Sequence, residues 1–210
     1  DSNLEFYKLI EQQKETHFLS RHTAQMAKNS QVDFFSWDFG GKTSIINTLA
    51  QLDGKESEFN YSALFTPSGN NHSGNELRVE HSANKTKSRI KIRGVLNDQS
   101  KGVFFGKIKV KENVLGTIAL MENKNLLISD DATISTTPIL EIYNDDTECS
   151  HSATSGSIDE EKLFYIQSRG IPEIEAKQYL IGSFIKELIN SITNIKIKTL
   201  LQNRFKYIEN

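Results

Sequence analysis

Through most of the first 145 residues, apolar and polar side chains alternate. In the run 89–95 (RIKIRGV), Ile90 and Ile92 share one face while Arg89, Lys91 and Arg93 take the other. The run 102–110 (GVFFGKIKV) repeats this, with Phe104, Gly106, Ile108 and Val110 on one side and Lys107 and Lys109 opposite. Period two is that of a β-strand, so each run predicts one buried and one wet face. The opening LEFYKLI alternates in the same way, and further short strand-like runs lie at 125–129, 132–136 and 138–143. Polar connectors such as NDQSK and SDD separate them. Between residues 30 and 145 no helical period is long enough to cross between parallel strands in the α/β manner.

Many short strands with polar turns fit a sandwich, a barrel or a β-solenoid. The sandwich is the commoner outcome. Two features lean toward the solenoid. The chain has no Asn-Gly, and its one Asp-Gly (53–54) lies between weak strands, so hairpin turns are scarce. Asn and Gly recur at the ends of short runs, as stacked coils require.

After residue 156 the period changes. Ser157 with Glu160 three residues on has capping-box spacing, and acids fill the first turn that follows. Arg169 falls in the expected last turn, and Gly170 is placed to end the helix in a left-handed conformation. Pro172 opens a second helix. Along it Ile174, Ile181, Phe184, Leu188 and Ile192 recur at helical spacing. A third helix is predicted over 197–209. The expected organisation is therefore a β region over 1–156 and a small helical domain over 157–210.

Composition narrows the function classes. At 37% hydrophobic and 25% charged, 210 residues suffice for a buried core. A net charge of -2 gives no global attraction to nucleic acid or anionic membrane, so neither is expected as a partner. No apolar run approaches the roughly 20 residues of a membrane span. A single cysteine excludes an internal disulfide and fits a reducing compartment. The chain opens without Met and directly into a strand pattern, so it is expected to begin inside a larger domain.

Candidate chemistry is sparse. FGGKTS (39–44) resembles the end of a phosphate-binding loop, but the first glycine of that motif would fall on Ser36, and the preceding VDFFSWDF is too bulky to wrap a phosphate. A turn is the expected reading. His72 and His81 flank SGNELRVE without a ligand-type neighbour at close spacing, so both read as surface or hydrogen-bonded residues. Cys149 and His151 differ. On an extended strand both side chains leave the same face, about 7 Å apart. Thiolate and imidazole suit iron, zinc or a cluster. Two ligands are too few for a structural zinc or a cluster, so taken alone the pair reads as inert. A Cys–His nucleophile has no Gly-rich oxyanion turn or orienting residue to support it. If the pair is a site, another chain must complete it.

Residues 125–189 change that reading. The run P-x-L-E-I-x-x-D-D-x-x-C-S-H-x-A-T-x-G is met at Pro138, Leu140, Glu141, Ile142, Asp145, Asp146, Cys149, Ser150, His151, Ala153, Thr154 and Gly156. It continues as D-E-x-x-L-F-Y-x-x-S-R-G-I at Asp159, Glu160, Leu163, Phe164, Tyr165, Ser168, Arg169, Gly170 and Ile171. This stretch closely resembles the C-terminal part of the SufB/SufD family of iron–sulphur cluster assembly scaffolds. Weaker similarity covers 79–110. Cys-Ser-His follows the SufD branch, and Asn123 lies near where the SufB branch carries its assembly cysteine. Ser152 departs from the family, which usually has glycine there. A SufB-like paralogue is the nearest alternative. A β-solenoid enzyme acting on polysaccharide, with Asp130, Asp131, Asp145 and Asp146 as its acids, is a more distant one.

The resemblance implies a mainly β fold, a right-handed parallel β-helix followed by a small C-terminal helical domain. It implies a non-catalytic scaffold that pairs with SufB through the β-helix. His151, with Cys149 beside it, would hold a nascent iron–sulphur cluster or iron at that interface, shared with the partner and never stably bound. The C-terminal helices would dock the ATPase SufC, with Leu163, Phe164, Tyr165, Arg169, Ile181 and Phe184 as expected contacts and ATP hydrolysis left to SufC. The implied compartment is the bacterial cytoplasm, or a plastid or apicoplast in a eukaryote.

Overall fold

A computed structural model describes residues 2–13 and 15–205. Eleven strands come first: β1 Ser2–Ile10, β2 His17–Met26, β3 Ser30–Asp38, β4 Thr43–Leu52, β5 Glu58–Phe65, β6 His72–His81, β7 Lys87–Leu96, β8 Lys101–Val110, β9 Thr117–Leu127, β10 Thr133–Ile142 and β11 Thr147–Ser157. Odd strands form one sheet in the order β1-β3-β5-β7-β9-β11, here sheet A, and even strands form sheet B in the order β10-β8-β6-β4-β2. Every ladder between neighbours is parallel. The chain alternates between two sheets and climbs one strand at a time, so the fold is a parallel β-solenoid. The solenoid, not the sandwich, is what the strand pattern encodes.

The core lies between the sheets. Phe59, Tyr61, Leu77, Val79, Ile90, Ile92, Phe104 and Ile108 all point into it and are fully buried. Short turns join the coils, and their geometry repeats. Asn29, Glu56 and Lys85 adopt positive φ on one side of the stack. Gly40, Gly69 and Asp98 do so on the other, spaced by one coil of 29 residues. On the first side each such turn hands a backbone N–H to the next, as Glu56 does to Asn84 O at 3.1 Å. Gly40 and Gly41 form the β3–β4 turn, so FGGKTS is a turn as expected. The Asp-Gly at 53–54 is likewise a coil turn, with Gly54 N bonded to Met26 O at 2.9 Å in the coil below.

Two expected runs merge. Residues 132–136 and 138–143 fall largely within the single strand β10, despite Pro138 at its middle. Among the described strands β10 has a neighbour on one side only, and proline is tolerated on such an edge strand.

Three helices follow: α1 Glu160–Gln167, α2 Glu173–Asn190 and α3 Ile195–Arg204. The N-cap of α1 is Asp159, whose carboxylate accepts from Lys162 N, so Ser157 ends β11 instead of opening a capping box. Arg169 falls just beyond α1, and Gly170 takes φ +84° and turns the chain. Pro172 caps α2 from outside its first turn. The α2 stripe is also corrected. Ile174 is 74% exposed, and the buried face runs through Ala176, Gly182, Ile185, Leu188 and Ile189. Residues 206–209 of the expected third helix lie outside the described residues.

α2 lies across the outer face of sheet A. Near its start Ala176 packs with Ile158 and Leu163 against Leu126 and Ile128 at the end of β9. Further on, Ile185, Leu188 and Ile189 meet Val95, Leu64, Trp37 and Phe35, so the helix passes β7, β5 and β3 in turn. Beyond its end Thr193 donates to Glu5 at 2.5 Å on β1. Its 18 residues span about 27 Å at 1.5 Å per residue. The six strands beneath it span about 24 Å at 4.8 Å each.

This placement explains Arg93, which alternation assigned to the wet face. Its side chain is only 2% exposed because α2 covers it. The guanidinium bridges Glu122 on β9 at 2.5 Å and Glu187 on α2 at 2.9 Å, and it lies over the Phe184 ring. Lys91 joins the same Glu187 at 2.5 Å. A buried cation is tolerable only with such partners.

Candidate metal-ligand site at the last coil

Cys149 and His151 lie on β11, the last strand of sheet A. Their register partners on β9 are Ala119 and Met121, and those of Ala119 and Met121 on β7 are Ser88 and Ile90. All four are buried. Both side chains therefore sit on the core-facing side, as the i, i+2 spacing predicts, but at the end of the stack where no further described strand covers them. The consequence differs for each. Cys149 is half-buried and packs against the core cluster. His151 is exposed. Burial, aided by the neighbouring Glu148 carboxylate, pushes the Cys149 thiol above its ordinary pKa. The thiol is thus held protonated, and thiolate ligation requires a cation to displace the proton.

The strand that carries them is held in place from below by Asn125, which the sequence reading did not single out, together with Asn123. Asn125 on β9 donates to Asn123 Oδ1 at 2.8 Å and reaches Ser155 Oγ at 3.2 Å on β11. Asn123 is fully buried beneath Ala153. The Asn-x-Asn spacing at 123–125 was the only available signal.

Among the described residues, β10 and β11 both leave one strand edge unpaired at the same end of the solenoid. Around it Ile134, Leu140 and Ile142 are only partly covered, and Tyr143 is 54% exposed. Unpaired edges beside apolar surface are templates for another chain. Among the described residues no third His, Cys, Asp or Glu joins the pair in a metal-sized group. Two donors, one thiol and one imidazole, stand at an open edge.

The six helical residues singled out by sequence divide into two groups. Leu163 is buried against Ile158 and Ala176, and Ile181 and Phe184 pack toward the Phe35–Trp37 cluster. Those three serve the chain's own packing. Phe164 and Tyr165 are exposed, and Arg169 donates to the Tyr165 hydroxyl at 2.8 Å while lying over its ring. His72 is a surface residue, and His81 is fully buried and hydrogen-bonded. No described helix is long and apolar enough to cross a membrane.

Comparison with known proteins assigns the class. The profile described as "SUF system FeS cluster assembly, SufBD core domain" matches residues 1–184, so the chain belongs to the SufBD family of iron–sulphur cluster assembly proteins. Within that family it is similar to the iron-sulfur cluster assembly protein SufD of Escherichia coli (strain K12), at 32% identity over 94% of this chain and 47% of that one. SufD of Bacillus subtilis (strain 168) is 24% identical over 84% of this chain and 40% of its own length. Protein ABCI7, chloroplastic, of Arabidopsis thaliana is 35% identical over 53% of this chain and 24% of its own. The chain thus spans about half, or less, of the length of these relatives.

Proposed function

We propose that this chain is a SufD-like scaffold subunit without catalytic activity of its own. In this reading its open solenoid end pairs with SufB, and its C-terminal helices dock the ATPase SufC. His151, with Cys149, lends ligands to iron or a nascent cluster that is cargo at the shared edge. The observation that carries it is the position of the pair: two donors on the last strand, beside two unpaired edges and incompletely covered apolar surface. A two-donor site is useless alone and useful where a second chain brings the rest. His151 is the more available ligand, because Cys149 is half-buried and its thiol is held protonated. At the helical end, Phe164, Tyr165 and Arg169 are the surface residues offered to SufC. The compartment this implies is the bacterial cytoplasm, or a plastid or apicoplast.

The test is cluster reconstitution with SufB and SufC. His151→Ala is expected to cut cluster formation at least about tenfold while leaving the solenoid folded, since the imidazole is exposed. Unchanged cluster yield would refute the ligand role. Phe164→Glu is expected to weaken SufC capture in the same preparation, and undiminished capture would remove that surface from the proposal.

A further inference from the structure

An apolar row crosses the outer face of sheet B. Leu19 on β2, Ile45 on β4, Gly74 on β6 and Val103 on β8 stand in register side by side. Leu19, Ile45 and Val103 are 72%, 40% and 52% exposed. With Phe105 as one wall, they frame a groove of about 440 Å³ around Gly74.

Gly74 is the informative residue. Its φ is not positive, so the backbone does not demand glycine. A Cβ there would meet Ile45 Cγ1 at 3.8 Å and Ser44 O at 4.0 Å, which are ordinary contacts. Gly94, Gly102 and Gly106 differ, because a Cβ at each would lie within 2.6 Å of another side chain. Nothing described in this chain asks for a glycine at 74, and a glycine inside a strand weakens it. What a bare position does provide is close approach for another molecule.

Geometry and charge define that molecule. β4, β6 and β8 are paired on both sides, so no strand can be added, and a partner must present side chains. Rungs about 4.8 Å apart match successive helical turns of about 5.4 Å. His72 and Lys101 are register partners at one rim of the groove, and among the described residues neither forms a salt bridge, whereas Arg78 is held by Glu76 at 2.7 Å. Lys101 makes this free rim cationic. We propose that the outer face of sheet B docks an amphipathic helix of a partner protein, seating a bulky apolar side chain over Gly74 and a flanking acid against Lys101 and His72.

The experiment is photo-crosslinking in cells from Val103→benzoylphenylalanine in the full-length protein. Peptide mass spectrometry then identifies the captured segment, which is synthesised and titrated against purified protein. The expected segment has apolar residues at i, i+3 or i+4, and i+7, flanked by Asp or Glu. Gly74→Val is expected to raise its Kd about tenfold or more by filling the seat, with thermal stability unchanged or raised. Lys101→Glu is expected to weaken it similarly and to flatten its salt dependence. Capture only of this chain itself, of a second copy or of a segment without acids overturns the proposal. So does no capture, or a Kd indifferent to both substitutions.

Discussion

The buried His81 makes a quantitative prediction about acid. It ends β6 on the core-facing side and has no exposed surface. Its Nδ1 lies 2.8 Å from Thr86 Oγ1, and its Nε2 lies 2.9 Å from Ser88 Oγ. The Thr86 hydroxyl proton is committed to the Ala83 carbonyl at 3.0 Å. Thr86 Oγ1 must therefore accept, so Nδ1 carries the ring proton and Nε2 accepts from Ser88. A second proton on Nε2 would reverse the Ser88 bond, making Ser88 Oγ the acceptor, and would bury a charge with no acid beside it among the described residues. Burial accordingly lowers the His81 pKa from 6.5 to about 4. The unfolded chain protonates this residue near 6.5 and the folded chain does not until about 4. Stability is therefore full above pH 6.5 and is lost as pH falls toward 4, to a total of about 3 kcal/mol. About 2 kcal/mol of that is gone by pH 5, or roughly 4–8 °C in Tm for a chain of this size. The assay is thermal and urea unfolding at pH 7.5, 6 and 5, compared with His81→Gln. The variant is expected to be less stable at pH 7.5 and to lose less on acidification. Parallel losses in the two proteins, or an imidazole seen by NMR to titrate near 6.5, would refute the reasoning.

Two further outcomes follow from packing. Arg93→Met removes the charge shared by Glu122 and Glu187 and is expected to cost about 2 kcal/mol in urea unfolding, below the fully buried range because both acids retain solvent; no loss would mean that the apolar contacts of α2 suffice. Gly54→Ala places a Cβ about 2.0 Å from the Ala27 carbonyl carbon, which is backbone and cannot yield locally, so a loss of about 3 kcal/mol or insoluble expression is expected. Wild-type stability in that variant would show that the coil turn can open without penalty.

Much of the fold was legible because a solenoid strand obeys local rules. Ile90 and Ile92, or Phe104, Ile108 and Val110, alternate and are buried as alternation predicts. The stacking was harder to read. Its 29-residue turn spacing rests on backbone conformation at Gly40, Gly69 and Asp98, where three different environments share one φ sign but only two share a residue type. Arg93 was misplaced because the helix that buries it lies 94 residues further on. Ile174 was misplaced because helical period identifies a stripe without saying which stripe meets the sheet. At the site, the shared face of Cys149 and His151 followed from strand period alone. That they end the stack followed only from topology, and burial separated a half-buried thiol from an exposed imidazole.

A stack of coils in contact only with its neighbours behaves as a one-dimensional array. It can fray from either end, one coil at a time. α2 changes that behaviour. It touches coils from β9 back to β3, and the residues after it reach β1 through Thr193 and Glu11 through Arg204. The helix is a strut laid along the array and fastened near both ends. Opening the last coil then strains contacts at the first, so terminal fraying is converted into a single cooperative event. A load applied to the helices would be felt along the whole solenoid.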